Sequence, residues 1–448
     1  MRDDWIEFAG AQVPRYTSYP TAVDFGASVG ADDVCDWLAD MPDSAPLSVY
    51  VHIPFCRKLC WYCGCTTSVP NGYDRIASYF DVLLQEIDLW AERAGRARLT
   101  HLHFGGGTPN ALSPADFTRL FRYLKQAFNV DPDHEFSVEL DPRILNDAMI
   151  EVMAASGVTR ASLGIQTLSP VVQSAINRIQ PKPDITRTVA HLRRAGIKAL
   201  NADLMYGLPR QTVSDIEDAA QYCADIGVDR VSVFGYAHVP WFAKHQRAIR
   251  ESDLPGLPER MLQAEAAEGV LQAAGYKSIG FDHYARPGDW LAQAAKNGCL
   301  RRNFQGYTDD TSPYLIGIGQ TSISRFPEGY GQSHKGLLDW RASVTTGRLP
   351  IARGVSLTND DRMRAHAIEH LLCNLSVDLG QIARQFGATP GVFGDAMEGL
   401  KMLETRGLCR LKGMRVSIPQ EVKLLIRNVA ATLDARLVQT AERHAIAG

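Results

Sequence analysis

Two features are absent from this sequence: an excess of positive charge and a long apolar run. Lys and Arg number 47 and Asp and Glu number 50, which gives a formal net charge of −3. This balance argues against a general nucleic-acid binder, although a local basic pocket stays possible. No stretch approaches the roughly 20 apolar residues that span a bilayer. The N-terminus, MRDDWIEFAG, has acids where a signal peptide has basic residues. We expect a soluble, cytoplasmic protein.

Cysteine is scarce except at one place. Five of the nine cysteines are scattered singly, and in a reducing compartment such residues are usually small buried hydrophobes. These five are Cys35, Cys223, Cys299, Cys373 and Cys409. The other four lie together in CRKLCWYCGC (56–65), directly after an apolar run. That segment needs a chemical explanation.

The chain is long enough for a large core, since 45% of its 448 residues are apolar. Six short segments rich in Val, Ile and Phe predict buried parallel strands. They span 47–55, 99–109, 135–142, 160–166, 198–209 and 229–240. Amphipathic stretches of helical length, such as 73–94 and 113–129, lie between them. Strict strand–helix alternation predicts an α/β fold with an open or partial (β/α) barrel, although a doubly wound sheet has a similar pattern.

Polar and glycine features fall at the predicted strand ends. Cys56 follows the first strand, GGGTP ends the second, Glu139 and Asp141 end the third, and Gln166 ends the fourth. Asp203 with YGLP, and then YAHVP, close the fifth and sixth. In such barrels the chemistry lies at the carboxyl ends of the strands. The sequence therefore predicts an active site at this rim.

The pattern changes on both sides of the predicted barrel, which we place at 41–345. Residues 1–40 form an N-terminal arm with no clear strand or helix. Residues 346–448 form a mainly helical C-terminal domain with a short hairpin at CRLKGMRVSI. Helices followed by a hairpin are compatible with a winged-helix DNA reader, but basic and acidic residues are nearly balanced in this part. We favour a structural module that covers one mouth of the barrel.

Disulfides, zinc and an iron–sulfur cluster are the three options for Cys56, Cys60, Cys63 and Cys65. A reducing compartment disfavours disulfides. Structural zinc usually takes two short cysteine arms that are well separated in sequence, and no second arm exists here. A Cys-x3-Cys-x2-Cys loop suits a cubane cluster held by three thiolates, with one iron left open for catalysis. We favour iron–sulfur.

The segments CRKLCWYC and GGGTP (105–109) together resemble the signatures of the radical S-adenosylmethionine (SAM) superfamily. This resemblance implies a [4Fe-4S] cluster whose open iron is chelated by the methionine moiety of SAM. One electron from the reduced cluster then splits SAM and releases a 5′-deoxyadenosyl radical. Glycines after the second strand would let backbone groups approach the cofactor without a Cβ in the way.

The likeness extends to one family, the oxygen-independent coproporphyrinogen III oxidases (coproporphyrinogen dehydrogenases). Its motifs are PRYTSYPTA, YVHIPFCRKLCWYCGC, HFGGGTP, VELDPR, LGIQ, DLMYGLP, YAHVP, DHYARP, RNFQGYT and IGIGQTSIS. The family resemblance implies a step of haem biosynthesis. Two of the four propionates of coproporphyrinogen III are oxidatively decarboxylated to vinyl groups, giving protoporphyrinogen IX. A pyrrole-conjugated radical formed at the propionate β-carbon makes this loss of carbon dioxide feasible.

The resemblance also implies roles for individual residues. Cys56, Cys60 and Cys63 would bind the cluster, and Cys65 would be important without being a ligand. Catalytic roles fall on Cys65, Glu139 and Arg178. The SAM-binding positions are Tyr50, Tyr62, Gly106, Gly107, Thr108, Glu139, Gln166, Arg178, Asp203, Ala237 and Ile323, and two SAM molecules share the site in this family. One departure is Gly235, where relatives carry Asn.

Several of these residues also have plain structural explanations. Glu139 and Asp203 could cap the helices that follow their strands. Arg178 could be a surface cation, and Tyr50 could be a core residue. The arm around Arg15 could be a disordered tail or could fold over the barrel mouth and screen a radical from solvent. We consider Arg286, Arg301 and Arg302 as candidates for binding the substrate propionates.

Two rival functions use the same barrel. A haem-binding chaperone would bind haem and form no vinyl product, and a related enzyme would open the haem ring with the same radical. Chaperone relatives generally lack the fourth cysteine and the PRYTSYPTA arm, and both are present here. The resemblance further implies a monomer and a low-potential electron donor such as a flavodoxin or ferredoxin. The sequence does not identify that donor, the final electron acceptor or the order in which the propionates react.

Overall fold

The computed structural model describes residues 5–437. Its N-terminal part contains two helices, α1 (Ile6–Ala9) and α2 (Ala31–Ala39), so the expectation of an arm without a helix is wrong. α2 shows the helical period, since Val34 and Leu38 are its buried residues. Between the two helices the chain is anchored by Tyr16, whose hydroxyl donates to Asp434 Oδ2 at 3.0 Å.

The six predicted strands form one parallel sheet. They are β1 (Pro46–Ile53), β2 (Arg98–Gly106), β3 (Asn129–Leu140), β4 (Arg160–Gln166), β5 (Ala199–Tyr206) and β6 (Arg230–Gly235). Each strand pairs in parallel with the next one along the chain. A doubly wound sheet would reverse its strand order at one point. The strand order here has no reversal, so it excludes a doubly wound sheet. It confirms the strand order of a (β/α) barrel.

The helices between these strands confirm the predicted alternation. They are α3 (Asp74–Ala94), α4 (Pro114–Ala127), α5 (Asp147–Ser156), α6 (Pro170–Ala175), α7 (Lys182–Arg194) and α8 (Val213–Asp225). α4 begins as its sequence predicts, because Ser113 accepts a hydrogen bond from Asp116 N and Pro114 is the first helical residue.

One further parallel strand and five antiparallel strands extend the sheet to twelve strands. The chain continues through α9 (Leu257–Ala273), β7 (Lys277–Ile279), β8 (His283–Ala285), α10 (Trp290–Lys296), β9 (Arg301–Asn303), β10 (Gly306–Thr308), β11 (Tyr314–Ile318), β12 (Ile323–Arg325), β13 (Gly329–Ser333), α11 (Leu337–Thr345) and β14 (Ile351–Ser356). The further parallel strand is β11, which lies beside β1, and β8 lies beside β6, whereas β9 and β10 form a separate pair. Among residues 5–437 the outermost strands β14 and β7 do not pair with each other, so the barrel is open.

The parallel strands alternate between the helices and the inside of the barrel. In β1, Leu47, Val49 and Val51 are buried in the core beneath the helices. Ser48, Tyr50 and His52 point the other way because successive strand residues face opposite sides. The same alternation in β2 to β6 gives the barrel a polar interior, lined by histidines, serines and carboxylates.

The C-terminal part is mainly helical. It comprises α12 (Asn359–Asn374), β15 (Ser376–Asp378), α13 (Leu379–Gln385), α14 (Gly394–Thr405), β16 (Arg410–Lys412), β17 (Arg415–Ser417) and α15 (Ile426–Ala431). β16 and β17 form the predicted hairpin. The core of this part includes Trp5, Tyr16 and Tyr19 of the N-terminal segment. The described chain has no helix with the length and apolar character required to cross a bilayer.

Glu86 of α3 is a fully buried carboxyl group. Its oxygens accept hydrogen bonds from Trp90 Nε1 at 3.2 Å, Trp340 Nε1 at 2.8 Å and Gly319 N at 2.9 Å. Burial raises the pKa of Glu86 from 4.5 to about 7, because these neutral donors replace water only in part. The folded protein therefore binds this proton more tightly than the unfolded chain does.

We expect Glu86→Gln to flatten the dependence of stability on pH. The contribution of Glu86 is most favourable below pH 4.5 and is lost as the pH rises through about 7, by about 3 kcal/mol in all. The glutamine has no proton to lose over this range. Urea unfolding of both proteins at pH 5 and pH 8 measures the difference. Equal changes with pH in the two proteins would contradict this assignment.

Candidate active site

A cavity of about 610 Å³ opens at the carboxyl ends of the parallel strands. This volume lies within the range of small-molecule sites in proteins. Thirteen of the predicted site residues line it: Cys56, Cys60, Tyr62, Cys63, Cys65, Gly106, Gly107, Thr108, Glu139, Gln166, Arg178, Asp203 and Ala237. The predicted convergence of strand ends on one rim is therefore observed.

Tyr50 and Ile323 are not among the residues that line this cavity. Tyr50 contacts two histidines instead. Its ring stacks on His103 with 5.7 Å between centroids, and its hydroxyl lies 3.0 Å from His52 Nδ1. Ile323 lies on β12 and packs beside a small cluster that contains Phe25. Their roles in SAM binding stay predictions.

The loop that carries the four cysteines is fixed through its backbone. Residues 55 and 68 form an isolated parallel bridge, and Cys56 N donates to Ser68 O at 3.0 Å. On the far side, Gln246 Nε2 donates to Tyr62 O at 2.9 Å and His245 Nε2 lies 2.7 Å from Cys63 O. These contacts position the thiols without using the thiols themselves.

Two of the three predicted ligands, Cys56 and Cys60, receive hydrogen bonds from side chains other than cysteine. Thr67 Oγ1 donates to Cys56 Sγ at 3.2 Å. Cys60 Sγ accepts from Arg143 Nη2 at 3.4 Å and lies 3.5 Å from Arg178 Nη1. The Thr67 hydrogen bond favours the Cys56 thiolate, which is the form that binds metal, but burial outweighs it and raises the pKa of Cys56 to about 11.

Cys63 and Cys65 interact with each other. The backbone N–H of Cys65 donates to Cys63 Sγ at 3.4 Å. The hydrogen bond from the Cys65 side chain lowers the pKa of Cys63 to about 6, and the same contact raises the pKa of Cys65. Cys63 is thus the thiolate of the pair and Cys65 the thiol. All nine cysteines are free, so the disulfide alternative is excluded.

The donor set fits an iron–sulfur cluster better than a single metal ion. Within residues 5–437 no three His, Cys, Asp or Glu side chains meet closely enough to hold one ion. In a cubane each cysteine binds a different iron, so its thiols stand further apart. Cys56, Cys60 and Cys63 all face one cavity from one loop, as that arrangement requires.

The glycines of GGGTP are required by the protein itself. A Cβ on Gly105 would lie 2.7 Å from Glu139 Oε2, and one on Gly106 would lie 2.7 Å from His52. A Cβ on Gly107 would lie 2.4 Å from the Phe55 carbonyl oxygen. This segment therefore packs directly against the start of the cysteine loop. Close approach to a cofactor, the reason inferred from the sequence, is not needed to explain the glycines.

Glu139 and Asp203 face the cavity and do not cap helices. Asn146 and Thr212 are the caps of the helices that follow. Glu139 Oε1 lies 3.2 Å from His103 Nε2, and Glu139 Oε2 accepts from Gly106 N at 3.3 Å. Enclosure alone would raise the pKa of Glu139, but these hydrogen bonds outweigh it and hold the pKa below its ordinary value. Glu139 is ionised at neutral pH.

Asp203 lies in a different electrostatic environment. Its oxygens accept hydrogen bonds from Ser162 Oγ at 2.9 Å and Asn201 Nδ2 at 2.8 Å. Burial, and then the charge of Glu139, raise the pKa of Asp203. The two carboxyl groups therefore share one cavity wall but differ in how readily they ionise.

Arg178 is 6% exposed, so the surface-cation interpretation is wrong. Its Nη2 donates to Gly164 O at 2.5 Å and lies 3.6 Å from Asp141 Oδ1. Among residues 5–437, its Nε and the Oε1 of Gln166 are buried without a hydrogen-bond partner. Gln166 also has a φ of 67°, which is uncommon outside glycine. Unpaired polar atoms and backbone strain of this kind mark a place where a ligand binds.

Three residues of the site were missed from the sequence. Arg143 donates three hydrogen bonds from its guanidinium to Asp141 and one to Cys60 Sγ. The motif VELDPR contained the signal, since Arg143 follows Asp141 by two residues. His245 and Gln246 come from the segment after β6, where no motif marks them.

The three candidates for binding propionates lie in different places. Arg286 donates to Val228 O and stacks on Tyr276, and Arg301 pairs with Glu369 at 3.0 Å. Neither of these arginines lines the cavity, so their binding of propionates stays a prediction, whereas Arg302 does line it.

The flanking segments also reach the cavity. Arg15 and Thr17 of the N-terminal segment contribute to its lining, as do Leu424 and Arg427 of the C-terminal part. Of the two interpretations of the arm, the structure supports the one in which it folds over the barrel mouth.

Comparison with known proteins first defines the class. Residues 50–223 match the profile of the Radical SAM superfamily. Proteins of this class use a [4Fe-4S] cluster and SAM, and the three-cysteine loop and the open (β/α) barrel agree with that chemistry.

Full-length relatives then define the family. The oxygen-independent coproporphyrinogen III oxidase of Bradyrhizobium diazoefficiens is 45% identical over 446 residues, which cover 99% of each chain. The protein of the same name from Escherichia coli is 37% identical over 429 residues, covering 96% of this chain and 94% of the relative. The solved structure of coproporphyrinogen III oxidase from Escherichia coli has a TM-score of 0.91 at 36% identity, covering 95% of this chain and 100% of that one. The chain belongs to the family of oxygen-independent coproporphyrinogen III oxidases.

Proposed function

We propose that this chain oxidatively decarboxylates two propionates of coproporphyrinogen III to vinyl groups, giving protoporphyrinogen IX in haem biosynthesis. The observation that carries the proposal is the 45% identity over 446 residues to an oxidase of that name. Neither rival function has comparable support, since the full-length relatives at 37–45% identity are oxidases by name.

Cys56, Cys60 and Cys63 are the residues that would hold the [4Fe-4S] cluster. When bound, the cluster and SAM together supply a carbon radical strong enough to remove an unactivated hydrogen atom. The protein contributes binding, orientation and exclusion of water.

The remaining rim residues are suited to bind SAM. Glu139 is ionised and open to the cavity, so it can accept hydrogen bonds from an ammonium or hydroxyl group. Arg178 is buried and positively charged, which suits a carboxylate. Gln166 Oε1 has no partner within the described protein and can accept one hydrogen bond from the ligand.

The atoms and electrons of the reaction balance for each propionate of the substrate. Each propionate loses one hydrogen atom from its β-carbon, one molecule of carbon dioxide and one electron, and two carbons become a vinyl group. The electron needs an acceptor outside this chain. Arg15, Thr17 and Leu424 also line the cavity, and protein that surrounds a radical in this way limits its contact with water.

The proposal includes finer points that rest on family resemblance. Two SAM molecules would serve the two successive propionates. The electron donor would be a flavodoxin or ferredoxin, and the enzyme would act as a monomer in the cytoplasm. We also propose the division into an arm (1–40), a barrel (41–345) and a C-terminal domain (346–448), in which the last part of the chain covers the barrel mouth.

Turnover tests the proposal. Protein made without air, reconstituted with iron and sulfide, would be incubated with SAM, a low-potential reductant and coproporphyrinogen III. Mass spectrometry is expected to show two successive mass losses, each equal to one carbon dioxide and two hydrogens. A protein with an intact cluster that leaves the substrate unchanged would rule the proposal out.

A further inference from the structure

The wall of the active-site cavity is positively charged although the whole chain is not. The cavity is lined by seven Lys and Arg residues but only four Asp and Glu residues. The chain as a whole has a net charge of −3. SAM carries a sulfonium and an ammonium against one carboxylate, so it does not explain a cationic wall. The cysteine thiolates account for Arg143 and Arg178, which lie beside Cys60, and the other arginines of the lining suit a further anionic ligand.

Four of the cations come from four separate parts of the chain. Arg15 lies on the N-terminal segment, Arg260 on α9, Arg302 on β9 and Arg427 on α15. One carboxylate, Asp282, lies among them, 3.9 Å from Arg302 Nη1, and it is already bound to His283 at 2.6 Å. The charge of Asp282 acts on three of these arginines, namely Arg15, Arg302 and Arg427.

These arginines act on one another electrostatically. Burial, and then the charge of Arg15, lower the pKa of Arg427 to about 10. Burial also lowers the pKa of Arg260, with Arg15 contributing in the same direction. An anion that enters the cavity is attracted by all of these charges together.

The guanidinium planes are held in place by aromatic rings and glycines. Arg302 lies over Phe281 and Tyr307, with 5.0 and 4.6 Å to the ring centroids. Arg260 lies over Tyr206 at 5.6 Å, and Arg260 Nη2 donates to Tyr236 O at 3.0 Å. Stacking of this kind orients a guanidinium so that its N–H edge can meet a carboxylate.

Gly235 belongs to the same arrangement. Its carbonyl accepts a hydrogen bond from Arg15 Nη2 at 3.2 Å. A Cβ at this position would lie 2.9 Å from Tyr206 Oη and 3.2 Å from Arg260 Nη2. The absence of a side chain at Gly235 thus leaves space for Tyr206 and Arg260.

Resting on the proposed function, we infer that Arg15, Arg260, Arg302 and Arg427 bind the two propionates that are not decarboxylated. Coproporphyrinogen III has four propionates and its product keeps two. An ion pair with guanidinium stabilises a carboxylate and therefore opposes its loss as carbon dioxide. The arginines are suited to hold the carboxylates that stay and to orient the ring. The apolar side chains of Phe281, Phe304 and Leu424 in the same lining offer a surface for the pyrroles.

Binding measurements on the reconstituted full chain test this inference without relying on turnover. The probes are coproporphyrin III, with four carboxylates, protoporphyrin IX, with the two that are retained, and coproporphyrin tetramethyl ester. The variants are Arg15→Gln and Arg427→Gln, and the control is Arg187→Gln, an exposed arginine of α7 that is absent from the cavity lining. Circular dichroism and iron content show which variants are folded and loaded.

We expect Arg15→Gln and Arg427→Gln each to weaken porphyrin binding, with a Kd raised roughly tenfold. For a given variant, the factor should be the same for coproporphyrin III and for protoporphyrin IX. The affinity for SAM should not change, and the ester should bind weakly to every protein. If coproporphyrin III binding weakens while protoporphyrin IX binding does not, the arginines hold the reacting propionates and the inference is wrong. Unchanged binding of both would also overturn it. A wild-type protein that binds both porphyrins through these arginines but forms no vinyl product would refute the proposed function alone.

Discussion

A Cys63→Ala variant is expected to lose its cluster iron and its activity together, with turnover reduced at least ~1,000-fold. Cys63 is the thiolate of the Cys63–Cys65 pair, and its backbone carbonyl is fixed by His245. Removing this sulfur leaves two cysteines of the loop as candidate ligands, which is too few to retain a cubane. Iron and sulfide analysis after anaerobic reconstitution, together with product formation, measures both losses.

Cys299→Ala is the matched control for this experiment. Cys299 is exposed, and Cys299 Sγ donates only to the nearby Asn297 O at 3.6 Å. Its variant should keep full iron content and full activity. If Cys63→Ala also keeps a full cluster, then Cys63 is not a ligand and the account of the loop fails.

A Gly107→Ala variant is expected to be strongly destabilised and nearly inactive. The added Cβ would lie 2.4 Å from the Phe55 carbonyl oxygen, and a backbone atom cannot rotate away as a side chain can. Gly107 N also donates to Ile53 O at 2.9 Å, so the strain falls on the segment that leads to Cys56. We expect a loss of about 3 kcal/mol in unfolding free energy, since overpacking in tight sites costs this much.

Gly288→Ala is the control, because a Cβ at Gly288 would meet no atom within 4 Å. Denaturant unfolding of both variants and of the wild type, with iron content as a second readout, would check the prediction. If Gly107→Ala unfolds like the wild type and retains its cluster, the contact with Phe55 does not determine the geometry of the loop.

The sequence predicted the barrel well because each parallel strand is a short apolar run followed by a conspicuous polar or glycine residue. It did not show the polar interior of the barrel. Ser48, Tyr50 and His52 alternate with buried apolar residues, but they are embedded in a segment whose average character is apolar. Only the strand alternation, applied residue by residue, would have revealed them.

Most of the predicted cysteines and rim residues meet in one cavity for a local reason, since they lie at a strand end or in the loop that follows it. The arginine group could not be found in this way. Arg15, Arg260, Arg302 and Arg427 are spread over more than 400 residues and meet only because the arm and the C-terminal part fold onto the barrel. Arg286 and Arg301 looked equally suitable as sequence, but both are engaged by neighbouring protein groups.

The glycines show that a correct motif can have a different physical cause. Gly105, Gly106 and Gly107 were recognised as a cofactor signature, yet each is required by contact with Glu139, His52 or Phe55. Sequence pattern identifies the position. The atom against which each glycine packs is identified only by the structure.

The most direct measurement of the central claim follows one hydrogen atom. Coproporphyrinogen III deuterated at the propionate β-carbons would be turned over anaerobically by the reconstituted protein with SAM and reductant. The account predicts deuterium in the 5′-deoxyadenosine that is released, together with a divinyl product. Divinyl product accompanied by unlabelled 5′-deoxyadenosine would contradict it.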